Sequence, residues 1–163
     1  MRELFCPNCG RKVQEGLNFC MYCGMRLAFK LESSPEEEVR SVIIRRIEAI
    51  KNKDPEEIRR LVDQNRYSKF DDWPPFELQK SEGISNEAKA LKALKSYEYE
   101  TRSWNIITLA ESALATFIIR YRGEIRNLRF DIQSRVSVFL AKYGEKWKII
   151  HEHWSRFPQH QPF

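Results

Sequence analysis

Four cysteines near the N-terminus are the residues whose type and spacing most clearly predict chemistry. Cys6 and Cys9 form one C-x2-C pair, and Cys20 and Cys23 form a second pair after ten intervening residues. Four thiolates at this spacing complete a tetrahedral coordination sphere, and Zn²⁺ is the ion that such sites most often hold. Because a complete sphere leaves no position for water or substrate, we expect one structural zinc ion. Iron held by the same thiolates and a pair of disulfides are the alternatives.

Two histidines near the C-terminus form the second group with chemical potential. His151 and His153 stand two apart in a predicted strand, so both side chains lie on one face. Such a pair could bind a metal or act as acid and base, although no third ligand has a convincing spacing. The alternative is a pair of hydrogen-bonded imidazoles on a sheet face or at a dimer contact. The opposite face carries Glu152 and Trp154, and a β-bulge would exchange the two faces.

Two neighbouring carboxylates are weaker catalytic candidates. Asp71 and Asp72 precede Trp73 in a loop-like segment that could border a pocket, and a turn or cap role is the alternative. The residues that we predict to line a ligand pocket are Trp73, Tyr97, Tyr99, Trp104, Arg120, Glu152 and Trp154. Aromatic residues are more often core or interface mass, and an arginine can equally belong to a solvated rim paired with glutamates.

The composition limits the classes of protein. The chain has 163 residues, of which 42% are hydrophobic and 12% aromatic, so it can bury one ordinary core beside a small module. The net charge of +5 is mild for a dedicated nucleic-acid-binding protein. There is no apolar run near the roughly 20 residues that span a bilayer, nor the apolar segment of a signal peptide. We therefore expect no membrane segment and a cytoplasmic location, where paired cysteines usually hold metal.

Helix signals fill the middle of the chain. Ser34 as N-cap, Pro35 at the first position and Glu37 at the third predict a helix with one apolar face. The segment from Asp54 repeats this start signal, and Ser85 or Asn86 is predicted to cap a third short helix. Residues 66–84 look like a loop.

After Lys95 the apolar residues alternate, which predicts about four long strands. We place them at residues 96–109, 112–122, 126–141 and 147–157, with hairpin-sized turns at Gly123-Glu124 and Tyr143–Lys146. Three helices would cover one face of this antiparallel meander, and a strongly curved sheet wrapped around helices makes a cone with a pocket inside.

Two resemblances follow from these residues. The cysteine module resembles the zinc ribbons that precede many prokaryotic domains. The helix-then-meander order, ending in the W-x-I-x-H-x-H-x-S pattern from Trp147 to Ser155, resembles the NTF2-like superfamily, particularly its SnoaL-like branch. The resemblance implies an α+β cone of three helices on a curved antiparallel sheet, frequent sheet-to-sheet homodimers and a pocket between helices and sheet. We expect a zinc ribbon at 1–27, a linker at 28–34, the NTF2-like domain at 35–157 and a tail at 158–163.

The resemblance does not select one chemistry, because the superfamily contains isomerases, cyclases, dehydratases, transport factors and kinase-association domains. Our leading hypothesis is a non-enzymatic, homodimeric binding or scaffold module. Its cone would hold a small apolar or anionic ligand, and its ribbon would dock a protein or nucleic-acid partner. The first alternative is an isomerase, cyclase or dehydratase that acts in the cone. The second is a nucleic-acid-associated factor that uses the ribbon and a basic sheet patch, whose members are Arg120, Arg122, Arg126, Arg129 and Arg135.

Overall fold

The computed structural model describes residues 4–14, 17–27 and 33–158. The chain divides into two compact units, Met1–Ser33 and Ser34–Phe163. Most of the linker predicted at 28–34, and all but the first residue of the tail predicted at 158–163, lie outside the described residues.

The first unit is built from two short hairpins. Strands β1 (Leu4–Phe5) and β2 (Lys12–Val13) pair antiparallel, and Phe19 forms an isolated bridge with Arg26. Its small core contains the buried residues Cys6, Val13, Cys20 and Leu27. Because so little apolar surface is buried, cross-links through the cysteines are needed to hold the hairpins together.

The two helix starts predicted at Ser34 and Asp54 are confirmed. Helix α1 spans Pro35–Lys51, and the Ser34 Oγ accepts the Glu37 N–H at 3.2 Å while Glu37 accepts the Ser34 N–H at 3.0 Å. This reciprocal capping box satisfies two helix donors that would otherwise lack partners. Helix α2 spans Pro55–Leu61 behind its N-cap Asp54.

The third helix starts earlier than predicted. Helix α3 spans Ser81–Leu91, so Ser85 and Asn86 lie inside it and do not cap it. Ile84 and Leu91 are buried, and their spacing of seven residues places both on one face. The packing of this face overrides the capping signal at Ser85, and among the described residues no side chain accepts a hydrogen bond as a cap at the actual start, Lys80.

The second unit contains a six-stranded sheet in the order β4-β3-β8-β7-β6-β5. Its four long antiparallel strands are β5 (Leu94–Thr108), β6 (Ser112–Ile125), β7 (Leu128–Tyr143) and β8 (Lys146–Arg156). The α+β fold with three helices on a curved sheet is confirmed. The sheet is mixed, because the short strand β3 (Ser68–Phe70), which pairs antiparallel with β4 (Leu78–Gln79), pairs parallel with β8. Both short strands lie in the segment that we predicted to be a loop.

The turn predicted at Gly123-Glu124 is also displaced. Both residues stay within β6, and the hairpin turns at Arg126 and Asn127. A Cβ at position 123 would lie 2.1 Å from the backbone oxygen of Ser96, so glycine is required by the close approach of β5.

The main core lies between the three helices and the concave face of the sheet. Val39, Ile43 and Ile47 of α1 are buried there against Ile119, Leu140 and Ile149 of the long strands, among others. In the described ranges, we find no helix with the length and apolar character needed to cross a membrane.

Candidate functional site

The four cysteines form a compact metal-binding cluster. All four Sγ atoms lie within 4.8 Å of one another, and the Cys6–Cys23 and Cys9–Cys20 sulfur pairs are 3.6 and 3.7 Å apart. Zn–S bonds of about 2.3 Å in a tetrahedron place the sulfurs about 3.8 Å apart, whereas a disulfide requires about 2.05 Å. The donor set and spacing therefore fit one zinc ion and not a disulfide.

Each cysteine pair is followed by a glycine that closes the turn. Gly10 and Gly24 have φ values of +67° and +69°, a region that favours glycine. Their N–H groups donate to the carbonyl oxygens of Cys6 and Cys20 at 2.9 Å. In both turns the backbone oxygen of the first cysteine accepts this hydrogen bond, and the turn holds the two thiols of each pair close together.

Hydrogen bonds favour the thiolate at one end of the cluster. The Asn8 side chain and the Met25 N–H lower the pKa of Cys23 to about 6. The pKa of Cys9 is about 11, because desolvation and the other three sulfurs outweigh the hydrogen bond from the backbone of Arg11. Four crowded thiols cannot all ionise without a cation, and a Zn²⁺ ion supplies that charge.

The histidine pair lies on the outer face of the sheet, away from the helices. A bulge between Ile149 and His151 leaves Ile150 unpaired opposite β7. Trp147 and Ile149 face the core before the bulge, and Glu152 faces it afterwards, so the bulge exchanges the faces as anticipated. The His151 Nδ1 lies 2.8 Å from Ser68 Oγ. Burial, with the neighbouring His153, lowers the pKa of His151.

A cavity of about 240 Å³ lies on the helix side of the sheet. Its walls come from α1, α3, the segment after β3 and the inner faces of the long strands. The apolar and aromatic lining residues are Ile50, Trp73, Pro74, Ala90, Leu91, Leu94, Tyr97, Tyr121, Ile125, Phe130 and Trp154. The charged lining residues are Arg46, Lys69, Asp71, Asp72 and Glu87. An apolar concave site with a few converging polar groups is the usual form of a small-molecule site.

A buried arginine organises the floor of this cavity. Arg46 is 2% exposed, and its Nε donates to Glu152 Oε1 at 3.0 Å. Its two terminal nitrogens donate to the two oxygens of Glu87 at 2.9 and 2.8 Å. Tyr67 and Trp154 donate to the remaining acceptor positions of Glu152. Burial opposes the charge of Arg46, but Glu152 and Glu87 raise its pKa further.

Lys69 extends the network toward the cavity mouth. Its Nζ lies 3.0 Å from Glu87 and 2.6 Å from Asp71. Although burial raises the pKa of Glu87, Arg46 and Lys69 outweigh it and lower the pKa to about 2. Burial raises the pKa of Asp71, and Lys69 offsets only part of that increase. Glu87 is therefore a fixed anion, whereas Asp71 is easier to protonate than an ordinary aspartate.

Asp72 is held differently. Its side chain is 4% exposed, and Tyr121 and Ser134 both donate to Oδ2, Tyr121 at 2.7 Å. Within the part of the chain that the structure describes, no hydrogen bond reaches Oδ1 of this carboxylate. Trp73 Nε1 donates to the Tyr121 oxygen at 3.0 Å, which fixes the hydroxyl toward Asp72. Burial and the Asp72 charge raise the pKa of Tyr97 and of Tyr121.

The predicted pocket residues separate into three groups. Trp73, Tyr97 and Trp154 line the cavity together with Asp71 and Asp72. Glu152 lies beneath it, bound to Arg46. The three that lie outside it are Tyr99, Trp104 and Arg120.

Each of those three has another partner. Tyr99 donates to Glu48 at 2.6 Å. Trp104 stacks on Phe117 with ring centroids 4.1 Å apart. Arg120 makes a bidentate pair with Asp131 on the outer face.

The predicted basic patch is largely neutralised. Besides the Arg120 pair, Arg122 lies 3.0 Å from Glu98 and Arg129 lies 3.7 Å from Glu124. The alternative of a solvated rim with acidic partners describes these three arginines.

Sequence reasoning missed Arg46, Lys69, Glu87 and Tyr121. Arg46 is three residues after Ile43 and seven after Val39, so helical spacing alone places it on the buried face. No local signal identifies Lys69, because its burial depends on the unpredicted strand β3.

Comparison with known proteins agrees with the two units. Residues 5–27 match the family model of the zinc-ribbon domain. A search of curated proteins gives no match to the chain.

Solved structures match over about three quarters of the chain. A proposed dehydratase of the NTF2-like family from Streptomyces avermitilis is 14% identical, with a TM-score of 0.67 over 76% of this chain and 96% of that one. An NTF2-like superfamily protein from Salmonella enterica is 18% identical, with a TM-score of 0.67 over 77% and 93%. The CaMKII hub of S. rosetta is 14% identical, with a TM-score of 0.65 over 77% and 98%. These identities show the fold alone, and the protein is therefore a zinc ribbon joined in one chain to a domain of the NTF2-like fold.

Proposed function

We propose that this protein is a non-enzymatic, homodimeric binding module whose cavity holds a small, partly aromatic molecule. The observation that carries the proposal is the cavity of about 240 Å³ between helices and sheet, walled by aromatic rings and floored by paired charges. If the aromatic side chains filled the space between helices and sheet, the domain could serve only as a scaffold. An open cavity of this size can accommodate a ligand with a single ring. Free thiols suited to zinc further support a reducing compartment such as the cytoplasm.

Binding is favoured over turnover by the state of the ionisable groups. His151 and His153 lie on the outer face, away from the cavity. Glu87 and Glu152 are both paired with Arg46, and the pKa of Glu87, lowered to about 2, makes that carboxylate a weak base. A general acid–base pair needs groups that reach the substrate and titrate near the working pH.

Ligand binding can be tested by narrowing the cavity. Ala90 lines the cavity but is exposed, so Ala90→Trp adds bulk without overpacking the core. We expect this variant to bind a small aromatic alcohol at least about tenfold more weakly by calorimetry than the parent protein does. Ala110→Trp, an exposed alanine outside the cavity, is the matched control and should bind as the parent does. Equal binding by both variants would count against the cavity as the site.

An isomerase, cyclase or dehydratase is the second candidate. Its support is the raised pKa of Asp71 in the cavity, since a carboxylate with a raised pKa is a better base. Such a base would take an α-proton from a small cyclic enone and return a deuteron from D₂O, which NMR detects. The enzymatic reading expects this exchange to disappear in Asp71→Asn and to persist in Glu77→Gln. Under our proposal of a non-enzymatic module, we expect no exchange above background in the wild type, in Asp71→Asn or in Glu77→Gln.

Homodimer formation is supported by the outer sheet face. Ile107, Leu114 and Phe139 occupy adjacent strands in register and are 51%, 41% and 42% exposed. Sheet-to-sheet packing of two copies would bury this row against its equivalent. Phe139→Glu should convert the dimer to a monomer in light scattering, whereas Leu128→Glu, at the hairpin turn, should not. A wild-type monomer would contradict this part of the proposal.

The ribbon is proposed to dock a protein partner. Its exposed large apolar residues are Phe5, Phe19, Met21, Tyr22 and Met25. Aromatic residues and methionine are enriched at protein interfaces, whereas nucleic-acid sites depend on basic clusters. Anisotropy titrations with single-stranded DNA and double-stranded RNA separate the two readings. Affinity that falls steeply with salt, and that is lost in Arg11→Ala but kept in Met21→Ser, would favour the nucleic-acid reading.

A further inference from the structure

We infer that the ligand of the cavity is a cation: a small amine whose ammonium group pairs with Asp72 while its apolar body lies against the aromatic walls. This inference rests on the proposed binding function and specifies the chemistry of its ligand. It also replaces the apolar or anionic ligand that we expected from the sequence.

The first argument is the unequal use of the two Asp72 oxygens. The side chain is more than nine-tenths buried, lines the cavity and accepts from Tyr121 and Ser134 through Oδ2. Oδ1 accepts no hydrogen bond from any residue that the structure describes. A buried carboxylate is costly unless both oxygens find donors, and a ligand ammonium carries three. The site therefore has a vacant acceptor of defined position.

The second argument is the charge of the cavity wall. Two cations, Arg46 and Lys69, face three carboxylates, Asp71, Asp72 and Glu87. Glu152 lies directly beneath and adds a fourth carboxylate. Both cations are already paired with carboxylates, Arg46 through all three guanidinium nitrogens and Lys69 with Glu87 and Asp71, so an anionic ligand would have to compete with these carboxylates for the two positive charges.

Arg156 is a further cation close to the cavity, and its positive charge must be included in the charge balance of the cavity wall. Its guanidinium carbon lies 5.0 Å from the centre of the Trp73 ring, and its buried Nε has no hydrogen-bond partner among the residues that the structure describes. It is not among the residues that line the cavity. With Arg156 included, three cations still face four carboxylates, so the wall retains a negative balance.

The third argument is the nature of the walls near Asp72. The rings of Tyr97 and Tyr121 stack with centroids 5.7 Å apart, and Phe130 lies 5.9 Å from Tyr121. Aromatic faces attract cations and also pack against an aromatic body. A ring joined by a short chain to an ammonium group satisfies both features within the available volume.

Three probes with the same body test the inference on the zinc-loaded full chain. Phenethylamine, phenethyl alcohol and phenylacetate differ in charge but share one ring. Isothermal calorimetry at pH 7 should give the tightest binding for the amine, at least about tenfold tighter than for the alcohol, and the weakest for the carboxylate. Asp72→Asn should remove the preference for the amine and leave the affinity for the alcohol within about twofold. Asp131→Asn, the same change on the outer face, should leave all three affinities unchanged.

The outcomes of this experiment distinguish the proposed binding function of the cavity from the inference that its ligand is a cation. If the alcohol binds as tightly as the amine, or the carboxylate binds best, the cation inference is overturned while the cavity remains a binding site. If none of the three probes binds at millimolar concentration, the proposed function and the inference both fall. The comparison among probes on the wild-type chain decides between these outcomes even if Asp72→Asn does not fold.

Discussion

The zinc ribbon and the NTF2-like domain both hold charge in their interiors, but they neutralise it differently. In the ribbon, the cluster of four thiols needs an ion from solution, and its core contains two further buried apolar residues, Val13 and Leu27. In the NTF2-like domain, Arg46 and its carboxylate partners come from distant positions of the same chain and are enclosed by a large apolar core. One unit therefore depends on a component that can be removed, whereas the other is self-sufficient.

Removing the metal should give the largest effect and should affect one unit alone. Structural zinc contributes about 10–16 kcal/mol to the folding of small modules, so chelation should unfold residues 4–27 completely. The backbone NMR signals of residues 34–158 should stay in place. Cys6→Ser should reproduce the loss, and Met21→Ser, an exposed change in the same module, should not. Thiols that remain protected from alkylation in a strong chelator would show that the ribbon is not held by its metal.

Breaking the buried ion pair should be the next largest effect, and it should affect the other unit. Arg46→Met keeps the apolar stem but leaves Glu152 and Glu87 without their shared partner, which should cost about 3–5 kcal/mol of unfolding free energy. Arg45→Met removes the neighbouring arginine, 56% exposed, which pairs with Glu57 at the surface and should cost at most about 1 kcal/mol. Urea denaturation measures both. Similar losses in the two variants would mean that the buried network contributes no more than a surface pair.

The same network explains how much could be predicted from the sequence. The cysteine site and the starts of α1 and α2 depend on neighbours within a few residues, so their signals are local and were read correctly. The four long strands follow from alternation, which is also local. At the cavity floor, Arg46 contacts Glu87 and Glu152, which lie 41 and 106 residues further along the chain. No local sequence pattern predicts these long-range contacts.

The β-bulge in β8 and the short strand β3 could not be predicted either, because both depend on neighbouring strands. The bulge at Ile150 decides whether the histidines or Glu152 face the cavity, and the alternation of residues 147–154 is compatible with either face. Strand β3 is three residues long and exists because β8 offers a free edge for parallel pairing. The local sequence around the bulge and around β3 therefore does not by itself predict either feature.

Acid should weaken the buried network through Glu87. Its pKa falls from an ordinary 4.5 to about 2 in the folded state, so its contribution is present above pH 4.5 and is lost as the pH falls toward 2. A shift of this size corresponds to about 3 kcal/mol. Asp71, whose pKa is raised, contributes with the opposite sign and offsets part of the loss.

The measurement is the urea midpoint at pH 7 and pH 3. Glu87→Gln should lose less stability than the wild type over this interval, because the amide does not titrate. Glu111→Gln, an exposed glutamate in the turn between β5 and β6, should lose as much as the wild type does. Parallel pH profiles for wild type and Glu87→Gln would contradict the assignment.

The smallest effect should come from the cap at the start of the second unit, and it separates a true capping signal from a false one. Ser34→Ala removes the acceptor for the Glu37 N–H and should cost about 1 kcal/mol. Ser85→Ala changes the residue that the sequence also suggested as a cap but that lies exposed inside α3, where alanine is the better helix former. Thermal unfolding should therefore show a lower midpoint for Ser34→Ala and an equal or slightly higher one for Ser85→Ala. A loss at Ser85 as large as that at Ser34 would mean that α3 begins where the sequence signal placed it, and the apolar face of Ile84 and Leu91 would then not be what sets the start of the helix.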